Sequence, residues 1–245
     1  MGIEGKVALV TGGSRGIGAS VAERLSAAGA DIALTYNTAA DRAQEVVTRV
    51  RGAGRRGLAI HAPASDPHAM PAAVDRTVAE FGGLDILVNN AGVFPYGTID
   101  ELTLDQFDEV MAVHVRAVFT AVKAATRHMT YGGRIISIGS NLVERVPWPG
   151  ISLYAMSKAA LVGFTKGLAR DLGPRGITVN LVHPGSTDTD MNPADGDGAD
   201  AERAVTALGR YATPADIAAT VLHLAGEAGD YITGTSIVVD GGANA

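Results

Sequence analysis

Short aliphatic runs alternate along the whole chain with longer stretches whose apolar residues recur at helical spacing, and few folds accept that alternation. Lys6–Val10 reads as a first strand. It runs into a glycine-rich turn and then a helix, Ile17–Ala28, with Ile17, Val21 and Leu25 on one face. Strands follow at Asp31–Tyr36, Leu58–His61, Leu84–Asn89, Arg134–Ile138, Thr178–Val182 and Ser236–Val239. Helices are expected at Ala39–Arg51, Ala69–Phe81, Leu104–Met129, Ser152–Leu172 and Pro214–Leu224. The strands are apolar almost throughout, as strands buried on both faces must be. The expectation is an α/β fold: a doubly wound, Rossmann-type parallel sheet of about seven strands with helices on both faces. No linker or repeat divides the chain, so residues 1–245 are expected to form one domain.

Composition removes several classes of function. There is no cysteine, so disulfides, thiolate nucleophiles and zinc–thiolate sites are out. The net charge is −6 with mixed signs and no basic face, which argues against nucleic acid as a partner. The six histidines show no metal-ligand spacing, and no metal is expected. No apolar run is long enough to span a bilayer, and the first residues do not read as a secretory leader. A cytoplasmic location without membrane partners is the resulting expectation.

The turn after the first strand is Thr11-Gly12-Gly13-Ser14-Arg15-Gly16-Ile17-Gly18. Glycines there allow a tight turn and close backbone approach to a pyrophosphate, and the helix behind them favours negative charge. The spacing is GxxxGxG, and at this point the chain resembles the short-chain dehydrogenase/reductase family, whose fingerprint is TGxxxGxG. The resemblance continues through Asn89-Asn90-Ala91-Gly92 after the fourth strand, Ser140, Tyr154-Ala155-Met156-Ser157-Lys158, and Pro184-Gly185 with Thr189. It closes with Tyr231–Gly234 and Asp240-Gly241-Gly242. It implies hydride exchange between a nicotinamide cofactor and a small-molecule ketone or alcohol, and within the family the chain looks like a 3-oxoacyl-carrier-protein reductase. The cofactor residues it implies are Gly12, Ser14, Arg15, Gly16, Ile17, Gly18, Asn37, Asn89, Ala91, Gly92, Tyr154, Lys158, Pro184, Gly185, Thr187 and Thr189.

The end of the second strand bears on the choice of cofactor. A carboxylate there would bind the ribose 2′-hydroxyl of NAD and repel a 2′-phosphate. This strand ends Thr35-Tyr36-Asn37; Asp31 stands at its other end and Asp41 lies in the following helix. Arg15 in the glycine turn can meet a 2′-phosphate through charge-assisted hydrogen bonds. NADP(H) is the expected cofactor.

Tyr154 and Lys158 lie four apart on a helix and share a face. An ammonium beside a phenol favours phenolate, so Lys158 is expected to lower the Tyr154 pKa and fit it for general acid–base work. The cationic nicotinamide of the oxidised cofactor would add to this. Ser140, after the fifth strand, is placed to bind the substrate oxygen. The resemblance adds that Lys158 holds the nicotinamide ribose.

Two positions depart from the family pattern. His114 stands where the family has a catalytic asparagine, at a kink whose main-chain carbonyl holds a relay water. His114 either preserves that carbonyl or, titrating near neutrality, disturbs or joins the relay with its ring; the alternative is a tolerated structural histidine. Pro63 stands where the family has an aspartate for the adenine, and Asp66 compensates only in a shifted register. Val143, Trp148, Leu153 and Met191 are candidate substrate-pocket residues, with loop packing as the alternative for Trp148. The Asp-, Gly- and Pro-rich stretch 186–198 reads either as a disordered surface loop or as a lid, within a substrate loop of about 186–205. Its aspartates would repel an acidic carrier protein, which favours a smaller uncharged ketone or cyclic alcohol. Apolar residues on more than one face of both long helices, with the family resemblance, lead to an expected homotetramer. The competing reading is a non-catalytic NADPH-binding sensor or interaction protein on the same fold.

Overall fold

A computed structural model describes residues 2–245. The strands are β1 (Val7–Val10), β2 (Asp31–Tyr36), β3 (Gly57–His61), β4 (Ile86–Asn89), β5 (Arg134–Ile138), β6 (Thr178–Pro184) and β7 (Ser236–Val239). All pairings are parallel and the sheet order is β3-β2-β1-β4-β5-β6-β7. The helices are α1 (Gly16–Ala27), α2 (Ala40–Gly52), α3 (Ala69–Phe81), α4 (Leu104–Met111), α5 (Ala117–Ala125), α6 (Ser152–Leu172), α7 (Ala199–Ala204) and α8 (Pro214–Ala225). The chain winds outward from β1 to β3, then returns to lay β4 on the other side of β1. The carboxyl ends of β1 and β4 therefore flank the switch point, where open α/β sheets bind ligands.

Alternate residues of each strand feed opposite cores. Ala8 and Val10 join Leu25, Val46 and Val221 under α1, α2 and α8. Val7 and Leu9 join Val74, Val118 and Leu161 under α3, α5 and α6. This two-faced burial is why the strands carry almost no polar residue. Asp85, the polar residue in the run leading to β4, accepts hydrogen bonds from Val7 N–H at 2.9 Å and from Lys6 Nζ at 3.0 Å. The fourth strand therefore begins at Ile86, two residues after Leu84, where the sequence placed its start.

One expected element is divided. The helix anticipated over Leu104–Met129 is α4, a π-helical turn at Ala112–Arg116, and α5. In the wider turn Ala117 N–H reaches back to the Ala112 carbonyl. Helical periodicity is nearly insensitive to one inserted residue, so the pattern did not reveal it. The chain leaves the helix after Ala125, where Arg175 Nη2 takes up the Thr126 and Met129 carbonyls at 2.6 and 2.9 Å. The stretch 186–198 is bound to itself and to its neighbours by several contacts. Thr187 pairs with Ala212, Thr189 with Asn192, and Asp188 Oδ1 accepts from Ala194 N–H at 2.9 Å.

Helix α1 docks on the turn that precedes it through Gly18. A Cβ there would stand 2.3 Å from Gly12 O and 2.5 Å from Asn90 Nδ2. Gly18→Ala is therefore expected to lower stability by about 1–3 kcal/mol, the usual cost of overpacking, read as a fall in melting temperature. An unchanged melting temperature would show that α1 can lift without cost.

Candidate active site

A single cleft runs along the carboxyl edge of the sheet. At one end are the glycine turn, Thr35–Ala39, Ala62, Ala64 and Ser65; at the other are His114, Ser140, Trp148, Tyr154 and Lys158. Pro184–Thr187 and Thr189–Asn192 cover its flank. Of the residues expected to bind cofactor, Gly12, Ser14, Arg15, Gly16, Ile17, Asn37, Ala91, Gly92, Tyr154, Lys158, Pro184, Gly185, Thr187 and Thr189 line it. Gly18 and Asn89 do not. Gly18 serves helix docking, and Asn89 is turned under the sheet edge, donating to Ser137 Oγ at 3.2 Å. Trp148 and Met191 line the same end of the cleft as Tyr154. Val143 lies outside the lining, and Leu153 is a buried residue of α6 that does not line it either. Sequence spacing places a residue on an element but not on the cleft side of it.

The glycine turn is held open by its neighbours. Thr11 Oγ1 accepts from Asn90 and Ala91 N–H at 2.9 and 3.1 Å, and Asn90 Nδ2 donates to the Thr11 and Gly12 carbonyls, both at 3.0 Å. Gly12 N–H donates to Thr35 Oγ1 at 3.0 Å. A Cβ on Gly12 would come within 2.9 Å of Ala91 Cα, so only glycine fits. No side chain caps α1 and its first turn holds no acid, which leaves its N-terminus to an external anion. After β3, Asp66 does not compensate for Pro63. Its carboxylate accepts from His68 N–H at 2.8 Å and closes a turn outside the cleft, so the adenine end meets Ala62, Ala64 and Ser65 instead.

At the deep end the residues meet as the spacing implied, but their electrostatics differ. Lys158 is buried and donates to the Ile138 carbonyl at 2.9 Å, with its Nζ 5.8 Å from the Tyr154 ring centroid. Burial pushes the Tyr154 phenol up to about 12, opposed by a hydrogen bond from Ser140, and pushes Lys158 down to about 8. The shift of Tyr154 is thus opposite to the lowering expected from Lys158 alone, because burial penalises the charged form of each group.

His114 is held from both sides. Its Nε2 accepts from Val93 N–H at 3.0 Å, and its Nδ1 lies 2.8 Å from Ser157 Oγ. Ser157 spends its own hydrogen on the Tyr154 carbonyl at 2.7 Å, so Nδ1 must be the donor and the ring is the Nδ1–H tautomer. Burial first, and Lys158 second, push His114 down to about 3. It is neutral at physiological pH and both nitrogens are engaged. Its ring ties the β4 turn to α6 and packs edge-on against Tyr154, centroids 5.6 Å apart. The π-helical turn around it is the observed form of the expected kink.

His183 was not anticipated. It accepts from Ser140 N–H through Nδ1 at 2.9 Å, and burial with Lys158 pushes it down to about 4. A Cβ on Gly139 would sit 2.4 Å from that nitrogen. The sequence signal is a histidine directly before Pro184-Gly185, which strand periodicity alone treats as core. Phe94 was missed too; it packs edge-on against Tyr154 at 4.7 Å. Asn90, quoted as part of a motif, emerges as the residue that braces the turn.

With this geometry in view, the comparisons with known proteins agree on one family. A family model described as enoyl-(acyl carrier protein) reductase matches residues 12–244. The chain belongs to the short-chain dehydrogenase/reductase family. A short-chain dehydrogenase from Burkholderia cenocepacia J2315, solved in complex with NADP, is 60% identical, covers 99% of each chain and superposes with a TM-score of 0.98. The cyclic-di-GMP-binding biofilm dispersal mediator protein of Escherichia coli (strain K12) is 40% identical over 97% of this chain and 96% of its own length. Versicolorin reductase stcU of Emericella nidulans is 37% identical over 98% of this chain and 96% of its own length.

Two buried histidines held neutral make the fold sensitive to acid. In the unfolded chain each would titrate near its ordinary value of about 6.5. Their folded pKa values are depressed, so their contribution is full above about pH 6.5 and is lost as pH falls towards the folded values. We expect the melting temperature to fall on acidification below about pH 6.5, and less steeply in His114→Asn than in the wild type. Equal slopes would remove His114 from this account.

Proposed function

We propose that the protein is an NADP(H)-dependent oxidoreductase that interconverts ketones and secondary alcohols, with Tyr154 as the general acid–base. The observation that carries this reading is the Ser140–Tyr154–Lys158 cluster, with Ser140 and Lys158 buried and Tyr154 half-buried, at one end of a cleft whose other end is a glycine turn at an uncapped helix N-terminus. The chemistry of the cradle fits NADP(H). Glycines keep side chains off the turn, α1 favours a pyrophosphate, and the end of β2 offers Thr35, Tyr36 and Asn37 with no carboxylate against a 2′-phosphate. Gly12, Ser14, Arg15, Gly16, Ile17 and Asn37 would hold the adenosine and pyrophosphate. Ala91, Gly92, Tyr154, Lys158, Pro184, Gly185, Thr187 and Thr189 would hold the nicotinamide half. Bound there, the cofactor supplies or accepts the hydride.

The chain's own residues manage the proton. Ser140 Oγ accepts from Leu142 N–H at 3.2 Å, and its one hydroxyl hydrogen, which faces Tyr154, would turn to a substrate oxygen bound between the two. Tyr154, with its phenol pushed up to about 12, keeps its proton at neutral pH and delivers it to the oxygen as alkoxide character develops, because an alkoxide is a far stronger base than phenolate. Lys158, anchored on the Ile138 carbonyl, supplies the charge that steadies the phenolate left behind. His183 and His114 position Ser140 and Tyr154 respectively.

Phe94, Leu142, Pro147, Trp148, Met191 and Val205 make the substrate end largely apolar, which supports an uncharged ketone or cyclic alcohol under a lid formed by residues 186–205. Asp188, Asp190, Asp195, Asp197 and Asp200 on that lid disfavour an acidic carrier protein. A second groove between α4, α5 and α6 is lined by Met111, Val115, Phe119 and Phe164, with Phe119 half exposed. It supports the homotetramer reading through helix pairing. No helix among the described residues is long and apolar enough to cross a membrane, consistent with the proposed cytoplasmic location.

The Escherichia coli relative, named for binding cyclic-di-GMP, supports one second reading of this chain, the NADPH-binding sensor or interaction protein on the same fold. Tyr154→Phe separates the two. For the enzyme it should lower ketone reduction, followed by loss of reduced-nicotinamide absorbance over a panel of ketones and β-keto esters, by about 10²–10⁴-fold. NADPH affinity should be little changed. The wild type should turn over with NADPH well above NADH. No turnover by the wild type with any ketone, despite NADPH binding, would favour the sensor.

A further inference from the structure

Three charged groups from separate parts of the chain meet at the adenosine end of the cleft. Asp190 Oδ2 accepts from Arg42 Nη1 and lies 3.5 Å from Arg15 Nη1. Arg15 belongs to the glycine turn, Arg42 to the first turns of α2, and Asp190 to the segment beyond β6. Arg15 and Asp190 line the cleft, and Arg42 reaches Asp190 from α2 beside it. Next to Asp190 in the chain, Thr189 packs against the glycine turn, where a Cβ on Gly16 would lie 3.2 Å from Thr189 Cγ2.

We infer that Arg42 is a second cofactor-selecting cation acting with Arg15, and that Asp190 is an internal anion that competes with the cofactor 2′-phosphate for this pair. The inference rests on the NADP(H) reading above. Charge balance argues for it. Two guanidiniums share one carboxylate oxygen, so the cluster keeps a surplus positive charge. A phosphate monoester carries about −1.5 to −2 at neutral pH and offers three acceptor oxygens, which suits two planar donors better than one carboxylate does. The existing contact is also weak enough to exchange. The Arg15, Arg42 and Asp190 side chains are 59, 54 and 48% exposed, and ion pairs so open to water contribute little. Both arginines hold the Asp190 carboxyl below the usual range, Arg42 more than Arg15, so it remains an anion at any working pH.

The exchange has a structural consequence. Asp190 ties the segment 186–198 to Arg42 of α2 and to Arg15 of the glycine turn, beside the packing of Thr189, and a 2′-phosphate that takes both arginines releases that ionic tie. An adenosine ligand without the 2′-phosphate leaves it closed. Ligand identity at the adenosine end thereby sets how firmly the substrate lid is held.

The test uses binding alone. Affinities of the full-length protein for adenosine 2′,5′-bisphosphate and for 5′-AMP are measured by calorimetry, with the melting temperature of each variant as a check on folding. Arg42→Ala should weaken the bisphosphate about tenfold or more and leave 5′-AMP unchanged, with Arg42→Lys in between. Asp190→Asn should tighten the bisphosphate several-fold, leave 5′-AMP unchanged, and lose its effect in the Arg42→Ala background. Amide exchange in residues 186–198 should quicken with the bisphosphate and not with 5′-AMP. Wild-type protein that binds the two ligands equally would overturn the NADP(H) reading itself. A wild-type preference for the bisphosphate that Arg42→Ala does not reduce would overturn the role of Arg42 alone. Weaker bisphosphate binding in Asp190→Asn would make Asp190 a support for the arginines and overturn the competition.

Discussion

The hydrogen bonds that join the turn after β1 to the turn after β4 hold the rest of the site in place. Thr11 and Asn90 exchange contacts across the switch point, with Thr11 Oγ1 taking two backbone N–H groups and Asn90 Nδ2 giving to two carbonyls. This satisfies backbone groups that a glycine-rich turn cannot satisfy internally. It also sets the separation of the two loops between which a dinucleotide would lie. From the β4 side the network continues through Val93 N–H to His114, and from there through Ser157 to the carbonyl of Tyr154. The phosphate turn and the proton donor are thus parts of one connected scaffold.

Burial governs the chemistry of that scaffold more than charge pairing does. Tyr154 and Lys158 are both pushed towards their neutral forms, and so are His114 and His183. A site built this way holds its protons firmly and releases one only to a strong base, such as a forming alkoxide. The two histidines act through single tautomers fixed by backbone N–H donors. They resemble positioned amides more than acids. A histidine in place of the family's asparagine is understandable on those terms, because a neutral imidazole offers one donor and one acceptor on opposite edges, as a carboxamide does.

The charged residues follow a different rule at the cleft mouth. There Arg15, Arg42 and Asp190 are half in water, so they can change partners at little cost, whereas the deep cluster cannot. The cleft therefore grades from exchangeable ionic contacts at the adenosine end to fixed, desolvated ones at the reacting end. The proposed selection of cofactor and the proposed chemistry fall at opposite ends of that gradient.

The sequence by itself determined the element order, the parallel sheet and the family, because strand burial on two faces and the glycine turn leave direct traces in residue type and spacing. It placed Ser140, Tyr154 and Lys158 together for the same reason: each lies at a carboxyl end or on a shared helix face. Tertiary structure alone decided what could not be read from one element at a time. The π-helical turn around His114 leaves the apolar pattern almost unchanged. The inward turn of Asn89, the burial of Leu153 and the exclusion of Val143 depend on which side of a loop or helix faces the cleft. The upward shift of Tyr154 and the neutrality of His114 depend on how much water the packed neighbours exclude, and the role of His183 depends on β6 lying beside β5. Spacing records which residues are near in sequence along one periodic element; dielectric and orientation arise only when several elements close around the same point.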